Sequence, residues 1–270
     1  MSLAVVTGAS SGIGRATALE LARSGYHIVA AGRSATRIRR VVDQITEQGG
    51  SAEYLELDLA SLQSARDAAG VFEQTEREID VLVNCAGVGA THGRTKDGFE
   101  IHFGVNHLGH FMFTHHLRRT FAPSTRIVQV SSEVHRRADG INFDAVMRRT
   151  RSVFGITEYA VSKLANILFA TEMAKRQPDW RLYAVHPGLT NTRIIPWYIR
   201  PLIARRILTP EQGADTIVWC ARSPSVADDS GHYYARRSIE APSAAAADND
   251  LAKRLWTMSE KWCGVAPIDN

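Results

Sequence analysis

The feature that most constrains the fold of this chain is a glycine-rich turn that directly follows its first apolar segment. Residues 3–7 are mostly apolar, and a turn with three glycines comes next. Glycines allow a pyrophosphate group to approach the backbone closely, and the N-terminus of the following helix offers free N–H groups and a positive dipole end. A plain strand-to-helix turn is the alternative, but the position after the first strand favours a phosphate-binding loop. The predicted binding residues are Gly8, Ser10, Ser11, Gly12, Ile13 and Gly14.

Short apolar segments alternate with longer helix-like segments along the 270 residues. This alternation is typical of βαβ units, whose right-handed crossovers place helices on both faces of a parallel sheet. The sequence therefore predicts an α/β fold with a doubly wound parallel sheet of Rossmann type, in a single domain over residues 1–270. The predicted strands are Leu3–Thr7, Ile28–Ala31, Ala52–Glu56, Val81–Val83, Arg126–Val130, Arg181–His186 and a last one near His232–Tyr234. The predicted helices are Arg15–Ser24, Thr36–Gln48, Ser61–Glu76, Tyr159–Arg176 and Asp250–Trp262.

Charge and cysteine content exclude several classes of protein. The formal net charge is +4. An anionic cofactor or substrate explains so modest an excess, so we expect no nucleic-acid partner. The three cysteines, Cys85, Cys220 and Cys263, are widely spaced, which argues against disulfides and fits a reducing compartment. Because no signal peptide precedes the first strand and no uninterrupted apolar run is long enough to span a bilayer, we expect a cytoplasmic protein without an integral membrane segment.

Two segments interrupt the alternation of strands and helices. Residues 190–210 are rich in apolar and aromatic side chains, among them Trp197 and Tyr198. Long excursions beside a compact α/β core are often functional, so we expect a substrate lid around 190–210. There are two alternatives. The segment could form a surface helix packed on the core, or residues 197–208 could contact a membrane surface. The other segment, residues 133–157, carries Arg136, Arg137, Arg148, Arg149 and Arg151.

The end of the second predicted strand indicates which dinucleotide binds. A unit that binds NAD carries a carboxylate at this point, which accepts a hydrogen bond from the ribose 2′-hydroxyl. This chain has Gly32 and Arg33 there instead. Gly32 leaves room, and a guanidinium can pair with a 2′-phosphate through two parallel hydrogen bonds. A solvated surface arginine is the alternative. Because the absence of a carboxylate and the presence of an arginine both favour a 2′-phosphate, the sequence predicts NADPH or NADP as the cofactor.

A tyrosine and a lysine lie four residues apart at the start of a predicted helix. Tyr159 and Lys163 lie on one helical face, so the hydroxyl and the ammonium can share a site. Because a nearby cation favours phenolate, we expect the pKa of Tyr159 to fall from its usual ~10 toward neutrality. The fifth predicted strand ends in Ser131 and Ser132, at the edge where parallel sheets bind ligands. Ser132 is a candidate to hold a substrate carbonyl oxygen, with a turn cap as the alternative role.

Taken together, these motifs resemble the short-chain dehydrogenase/reductase family across nearly the whole chain. The glycine loop, Asp58, Ser132, the tyrosine–lysine pair and Pro187 occur in that family's order. Three longer stretches are similar to its retinol dehydrogenase-like branch, which also includes WW-domain-containing oxidoreductases. They are Val105-Asn106-His107-Leu108-Gly109-His110-Phe111, Ser162-Lys163-Leu164-Ala165-Asn166 and Ala184-Val185-His186-Pro187-Gly188.

The resemblance implies a role for each of these residues. Asn106, Ser132, Tyr159 and Lys163 would form a catalytic tetrad. Ser132 and Tyr159 would grip the carbonyl oxygen, and Tyr159 would protonate it. Lys163 would bind the nicotinamide ribose, and Asn106 would hold a water that relays protons. Further cofactor contacts would come from Asp58 and Leu59 at the adenine, Asn84, Ala86 and Gly87 at the adenosine ribose, and Pro187 and Thr192 at the nicotinamide.

The resemblance also implies an activity. We expect NADPH-dependent reduction of a carbonyl on a fairly apolar small molecule, such as a polyketide or aromatic ketone or a retinal-like aldehyde, to the alcohol. Reduction of a carbon–carbon double bond, as in protochlorophyllide reductases, is one alternative. A non-catalytic NADPH-binding sensor is another, although such a protein has no need of Tyr159 and Lys163 together.

Metal binding and assembly complete the expectations. His107 and His110 lie one helical turn apart, but no acid or cysteine completes a ligand set, so we expect no metal. Many family members assemble through the helix that carries the tyrosine and the helix before the fifth strand. Because residues 133–157 enter that tyrosine helix and their arginines would repel a two-fold mate, we expect a monomer or homodimer rather than a tetramer.

Overall fold

The structure is a computed structural model that describes residues 1–75, 77–190 and 207–268. Its strands are β1 (Leu3–Thr7), β2 (His27–Gly32), β3 (Ser51–Glu56), β4 (Ile79–Asn84), β5 (Phe121–Val130), β6 (Arg181–His186), β7 (His232–Ala235) and β8 (Ser238–Ile239). Within the described ranges they form one sheet in the order β3-β2-β1-β4-β5-β6-β7-β8. All neighbouring pairs are parallel except β7 and β8.

Helices connect these strands. They are α1 (Gly12–Arg23), α2 (Ala35–Glu47), α3 (Leu62–Glu73), α4 (Ile101–Phe103), α5 (Gly109–Leu117), α6 (Ile156–Arg176), α7 (Pro210–Arg222) and α8 (Asn249–Cys263). A π-helical segment, Gly104–Leu108, joins α4 to α5. The arginine-rich excursion 133–157 contains only short 3-10 turns before α6 begins.

The helices cover both faces of the sheet, each over a core of its own. On one face, α1, α2 and α7 bury side chains such as Leu21, Ile38 and Ile217. On the other, α3, α5, α6 and α8 bury side chains such as Phe72 and Phe111. Every residue of β1 is buried, as expected for a central parallel strand that is covered on both sides. The predicted doubly wound parallel sheet is therefore confirmed.

Two predicted boundaries differ from the structure near the site. Strand β5 begins at Phe121 rather than at Arg126, because Phe121 pairs with Ile79 of β4 ahead of a register shift. Helix α6 begins at Ile156, after Gly155 in a left-handed conformation with φ 65°. Tyr159 therefore lies within the first turn of α6 instead of opening it.

One helical stretch in the described part of the chain, residues 153–176, is long and apolar enough by length and composition to cross a bilayer. It is not an uninterrupted apolar run, because Glu158, Lys163 and Glu172 lie within it, so it does not contradict the expectation stated above. Most of its apolar window is buried inside the protein, where α6 packs against the sheet and α8. Core helices of soluble proteins have the same length and composition, so this stretch is weak evidence for a membrane segment.

Candidate active site

The predicted site residues meet at the carboxyl edge of the sheet. Gly8 follows β1, Asn84 ends β4, Ser131 follows β5 and Pro187 follows β6. The strand order reverses direction between β1 and β4, because β2 and β3 lie on one side of β1 and all later strands on the other. Ligands of doubly wound sheets bind in the crevice at such a point.

The glycine loop is too tightly packed for side chains at two positions. The Gly8 N–H donates to the Ala31 carbonyl at 2.9 Å, and Gly8 has φ +71°. A Cβ added to Gly8 would lie 2.8 Å from the Cα of Ala86, and one added to Gly14 would lie 2.5 Å from the Gly8 carbonyl oxygen. Glycine at both positions therefore lets the loop fold back on itself and leaves its backbone open to a ligand.

The N-terminus of α1 presents an anion-binding end to this loop. Its N-cap, Ser11, makes no side-chain capping bond, and the first turn contains no acidic residue. The first N–H groups of a helix lack intrahelical partners and carry the positive end of the helix dipole. The dinucleotide pyrophosphate therefore fits this turn, where the backbones of Gly12, Ile13 and Gly14 would hold it.

Arg33 stands exposed at the end of β2. Within the described ranges its guanidinium has no hydrogen-bond or ion-pair partner. A Cβ on the preceding Gly32 would lie 3.0 Å from the Cδ1 of Ile38, so this position is tight as well. The guanidinium is thus available for an anion beside the predicted adenosine ribose.

The two residues expected at the adenine differ in their surroundings. The Asp58 carboxylate accepts from Lys96 Nζ at 3.0 Å and from the Ala60 N–H at 3.1 Å. Leu59 is buried, and its backbone packs so closely on α5 that a Cβ on Gly109 would lie 2.5 Å from the Leu59 carbonyl oxygen. Because the Leu59 side chain belongs to the core, a cofactor contact from Leu59 would come from its backbone.

The Asn84 side chain points into the protein rather than into the crevice. Asn84 is 1% exposed, and its Nδ2 donates to Thr114 Oγ1 at 3.0 Å and to Gln129 Oε1 at 2.9 Å. The next residues in the chain, Ala86 and Gly87, stand at the surface of the crevice and are partly or fully exposed. The side chain of Asn84 therefore ties strand ends together, and a cofactor contact from it would also be a backbone contact.

A buried threonine–histidine pair fixes the loop after β4. Thr7 Oγ1 accepts from the N–H groups of Cys85 and Ala86, both at 3.0 Å, and lies 2.9 Å from His110 Nε2. His110 Nδ1 lies 3.0 Å from the Asn106 carbonyl, which can only accept, so Nδ1 carries the proton and Nε2 accepts from Thr7. Burial lowers the pKa of His110 to about 4, so this ring is neutral at physiological pH.

Asn106 connects the loop after β4 to α6. It lies in the π-helical segment 104–108, a local irregularity that is common at functional sites. Its Oδ1 accepts from the Val88 N–H at 2.8 Å, and its Nδ2 donates to the Val88 carbonyl at 3.1 Å and to Ser162 Oγ at 2.9 Å. A Cβ on Gly87 would lie 3.2 Å from Asn106 Oδ1. The side-chain amide of Asn106 is therefore fully used in holding the loop after β4 against α6, so a contact with the predicted water would come from its backbone.

Two adjacent serines after β5 have different functions. Ser131 Oγ donates to the Lys163 carbonyl at 2.7 Å and so fixes α6 against the strand. Ser132 Oγ accepts from the Val134 N–H at 3.3 Å and lies near enough to the Tyr159 hydroxyl to favour its ionised form. Ser132 thus fits both of its predicted roles, because the same hydroxyl caps a 3-10 turn and lies near Tyr159.

The expectation that Lys163 lowers the pKa of Tyr159 is wrong for this structure. Burial raises the pKa of Tyr159 to about 12, and only the Ser132 hydrogen bond acts in the opposite direction. The Lys163 ammonium lies 5.7 Å from the centre of the Tyr159 ring and donates to the Val130 carbonyl at 2.9 Å. Burial lowers the pKa of Lys163 to about 8, partly offset by the neighbouring Cys85 thiol. Desolvation thus outweighs the cation here, and Tyr159 keeps its proton at neutral pH.

Only part of the predicted nicotinamide side lies within the described residues. The Pro187 carbonyl accepts from Thr190 Oγ1 at 3.3 Å, just after β6. Thr192 and Trp197 lie outside the described residues, as does most of the lid expected over 190–210. Those parts of the prediction therefore remain expectations.

The histidines that suggested a metal have protein partners. His107 Nε2 lies 2.9 Å from Ser259 Oγ, and His110 is bonded to Thr7 and to the backbone of Asn106. Within the described residues, no group of three or more histidine, cysteine or acidic side chains is placed to hold a metal ion.

Sequence reasoning missed the residues that hold the tetrad in place. Thr7, Ser131, His110 and Ser162 each bond to a tetrad residue or to the loop beside it. His110 lies in a stretch that resembles the family, and Ser131 is next to Ser132, so the sequence did indicate that both residues lie near the site. The contacts join segments far apart in sequence, and spacing alone does not reveal them.

The glycine loop, the open helix end and the predicted tetrad lie at one sheet edge, as expected for a nicotinamide-dinucleotide-dependent oxidoreductase of the doubly wound α/β class. A family model described as short chain dehydrogenase matches residues 2–196. The chain belongs to the short-chain dehydrogenase/reductase family. Its relatives also confirm the predicted similarity to retinol dehydrogenases within that family.

Three proteins illustrate how similar this chain is to known members of the family. Bovine dehydrogenase/reductase SDR family member 13 is 40% identical over 283 residues, which cover 98% of this chain and 74% of the relative. Human retinol dehydrogenase 14 is 38% identical over 291 residues, which cover 97% of this chain and 86% of the relative. The crystal structure of the angucycline C-6 ketoreductase LanV with bound NADP has a TM-score of 0.70 at 25% identity, covering 86% of this chain and 92% of that chain.

Proposed function

We propose that this protein is an NADPH-dependent reductase that converts a ketone or aldehyde on an apolar small molecule into the alcohol. The observation that carries the proposal is the adjacent pair of hydroxyls, Ser132 and Tyr159, above a buried Lys163. Because burial raises the pKa of Tyr159 to about 12, the phenol is protonated at neutral pH. Reduction of a carbonyl requires such a proton donor, whereas oxidation of an alcohol begins with a base.

The residues of the chain divide the work of reduction between them. Reduced nicotinamide, when bound, supplies the hydride. Ser132 and Tyr159 hold the carbonyl oxygen by two hydrogen bonds, and Tyr159 donates its proton as negative charge develops there. Lys163, cationic below its pKa of about 8, holds the anionic cofactor beside the two hydroxyls. Asn106 and Ser131 hold the loop after β4 and the start of α6 in position during this step.

The preference for an apolar substrate rests on exposed apolar residues in the segments that lead into α6 and out of β6. Val153, just before α6, is 74% exposed, and Leu189, after β6, is 42% exposed. Large exposed apolar side chains beside a catalytic crevice favour a ligand that covers them. Two similar proteins carry names that refer to retinol and to angucycline, both of which have extended apolar skeletons.

The preference for NADPH rests on the end of β2. Gly32 and Arg33 stand where an NAD-binding unit has a carboxylate, and the Arg33 guanidinium has no partner within the described ranges. The NADP in the LanV structure is consistent with this choice.

A carbonyl panel tests the proposal. Purified protein is mixed with NADPH and, separately, with aromatic ketones, polyketide-like ketones, retinal and matched enones, and loss of NADPH absorbance and the products are measured. We expect alcohol formation from the apolar carbonyls, with NADPH preferred to NADH. Saturated ketones from the enones without alcohol would favour double-bond reduction. NADPH binding without turnover of any compound would favour a sensor, and both outcomes contradict the proposal.

A further inference from the structure

A cavity of about 720 Å³ lies on the side of α6 that faces away from the tetrad. Thr157 and Val161 line it. Val161 follows Tyr159 by two residues, so its side chain lies about 200° around the helix axis from that of Tyr159. Its volume is within the ~300–1,000 Å³ of typical small-molecule sites. None of the tetrad residues and none of the glycine-loop residues borders it, so it is separate from the site described above.

Four arginines of the excursion 133–157 line this cavity. They are Arg137, Arg148, Arg149 and Arg151, and all four are exposed. Their guanidinium groups make no hydrogen bond or ion pair with any residue in the described ranges. Arg136, next to the first of them, differs, because it pairs with Glu133 and donates to the Ala241 carbonyl. Four like charges around one concavity repel each other unless a counter-ion is present.

The acidic residues of the same cavity form no ion pair with these four arginines within the described residues. The Glu100 carboxylate is 2% exposed and accepts from a histidine, a threonine and a backbone N–H. The Glu158 carboxylate accepts from two backbone N–H groups and a serine hydroxyl, which together hold its pKa below the usual range. Asp139 is the remaining acid, so four guanidinium groups line the cavity against three carboxylates, of which Glu100 is buried.

We propose that this cavity binds a small soluble polyanion, a molecule with two or more phosphate or carboxylate groups. Guanidinium groups bind both by paired, charge-assisted hydrogen bonds. One monovalent ion cannot contact four arginines spread around a cavity of this size, whereas a molecule with several anionic groups can. Val161 at the wall is only partly buried and provides apolar contact for its uncharged part. This site is additional to the proposed reductase site and does not depend on it.

Calorimetric titration with inorganic pyrophosphate and, separately, citrate tests the proposal. A slight molar excess of NADPH fills the cofactor site first, so that the glycine loop does not contribute. We expect one binding event per chain for at least one probe, weakened tenfold or more by the double substitution Arg148→Gln and Arg149→Gln. The matched control is Arg119→Gln with Arg222→Gln, which removes the same charge from two exposed arginines elsewhere. We expect the control to bind like the unchanged protein.

Three results would overturn the proposal. No binding of either probe removes the site. Equal loss of affinity in the Arg148/Arg149 and control variants means that net charge alone attracts an adventitious ion only. The protein could instead co-sediment with phosphatidylglycerol vesicles while neither soluble probe binds. Loss of that co-sedimentation in the Arg148/Arg149 variant would mean that the arginines contact a lipid surface. Because all four substituted arginines are exposed, far-UV circular dichroism is expected to be unchanged in both variants.

Discussion

Arg33 is the side chain on which the choice of cofactor depends. It is exposed at the end of β2, where its charge can face a 2′-phosphate. We expect NADPH to bind at least tenfold tighter than NADH, about 1.4 kcal/mol, and Arg33→Ala to remove most of that difference. Fluorescence titration with both cofactors measures it, with Arg40→Ala on α2 as a control of equal charge. Equal dissociation constants in the unchanged protein would contradict the assignment.

Lys163 makes cofactor binding depend on pH. Burial lowers its pKa to about 8, so it is cationic at pH 7 and loses its charge as pH rises through that value. Because the cofactor is anionic, we expect the dissociation constant for NADPH to increase between about pH 7 and about pH 9. Lys163→Met should bind more weakly and show little of this dependence. A rise of the same size in Lys163→Met would assign the titration to another group.

The excursion 133–157 is tied to the catalytic helix through one buried carboxylate. Glu100, the N-cap of α4, accepts from His102 Nδ1 at 2.8 Å, from the Phe103 N–H at 2.8 Å and from the Thr150 hydroxyl. The His102 ring is fully buried and meets the Tyr159 ring edge-on, with centroids 6.1 Å apart. The carboxylate thus connects the excursion, α4 and the first turn of α6.

Replacement of Glu100 tests this connection. Glu100→Ala leaves His102 Nδ1 and the Phe103 N–H without an acceptor and leaves the Thr150 hydroxyl only the distant Gly93 carbonyl, so we expect the free energy of unfolding to fall by about 3 kcal/mol. Glu100→Gln keeps one acceptor oxygen and should cost less. Urea unfolding of the three proteins measures the difference. A loss below about 1 kcal/mol in Glu100→Ala would mean that the contacts contribute little.

Elements with a local pattern could be predicted from sequence, and those that depend on distant partners could not. The order of strands and helices, the glycine loop and the Tyr159–Lys163 pair follow from periodicity and spacing. The raised pKa of Tyr159 could not be foreseen, because it arises from burial by residues far away in the chain. Residues 104–108 carry no sequence signal for a π-helix, and their conformation depends on the partners that Asn106 finds in Val88 and Ser162.

At the scale of the whole molecule, α8 covers parts of α5 and α6, the helices expected from the sequence to form the assembly surface of the family. Trp256 of α8 stacks on Phe169 of α6 at 5.8 Å and meets Phe111 of α5 edge-on at 5.1 Å. With α5 and α6 covered in this way and the arginine-rich excursion beside them, we expect a monomer or dimer in solution. Multi-angle light scattering at moderate salt measures this, and a stable tetramer would show that α8 leaves the interface open.

The most direct test of the account is a single-turnover measurement on Tyr159→Phe. Enzyme loaded with NADPH is mixed in a stopped-flow instrument with a ketone that the unchanged protein reduces, and the rate of NADPH oxidation is recorded. Tyr54→Phe, a half-buried tyrosine on β3, serves as the control. We predict that Tyr159→Phe binds NADPH normally but reacts slower by a factor on the order of 10² or more, as loss of a general acid requires. A rate close to that of the unchanged protein would show that the proton comes from another group.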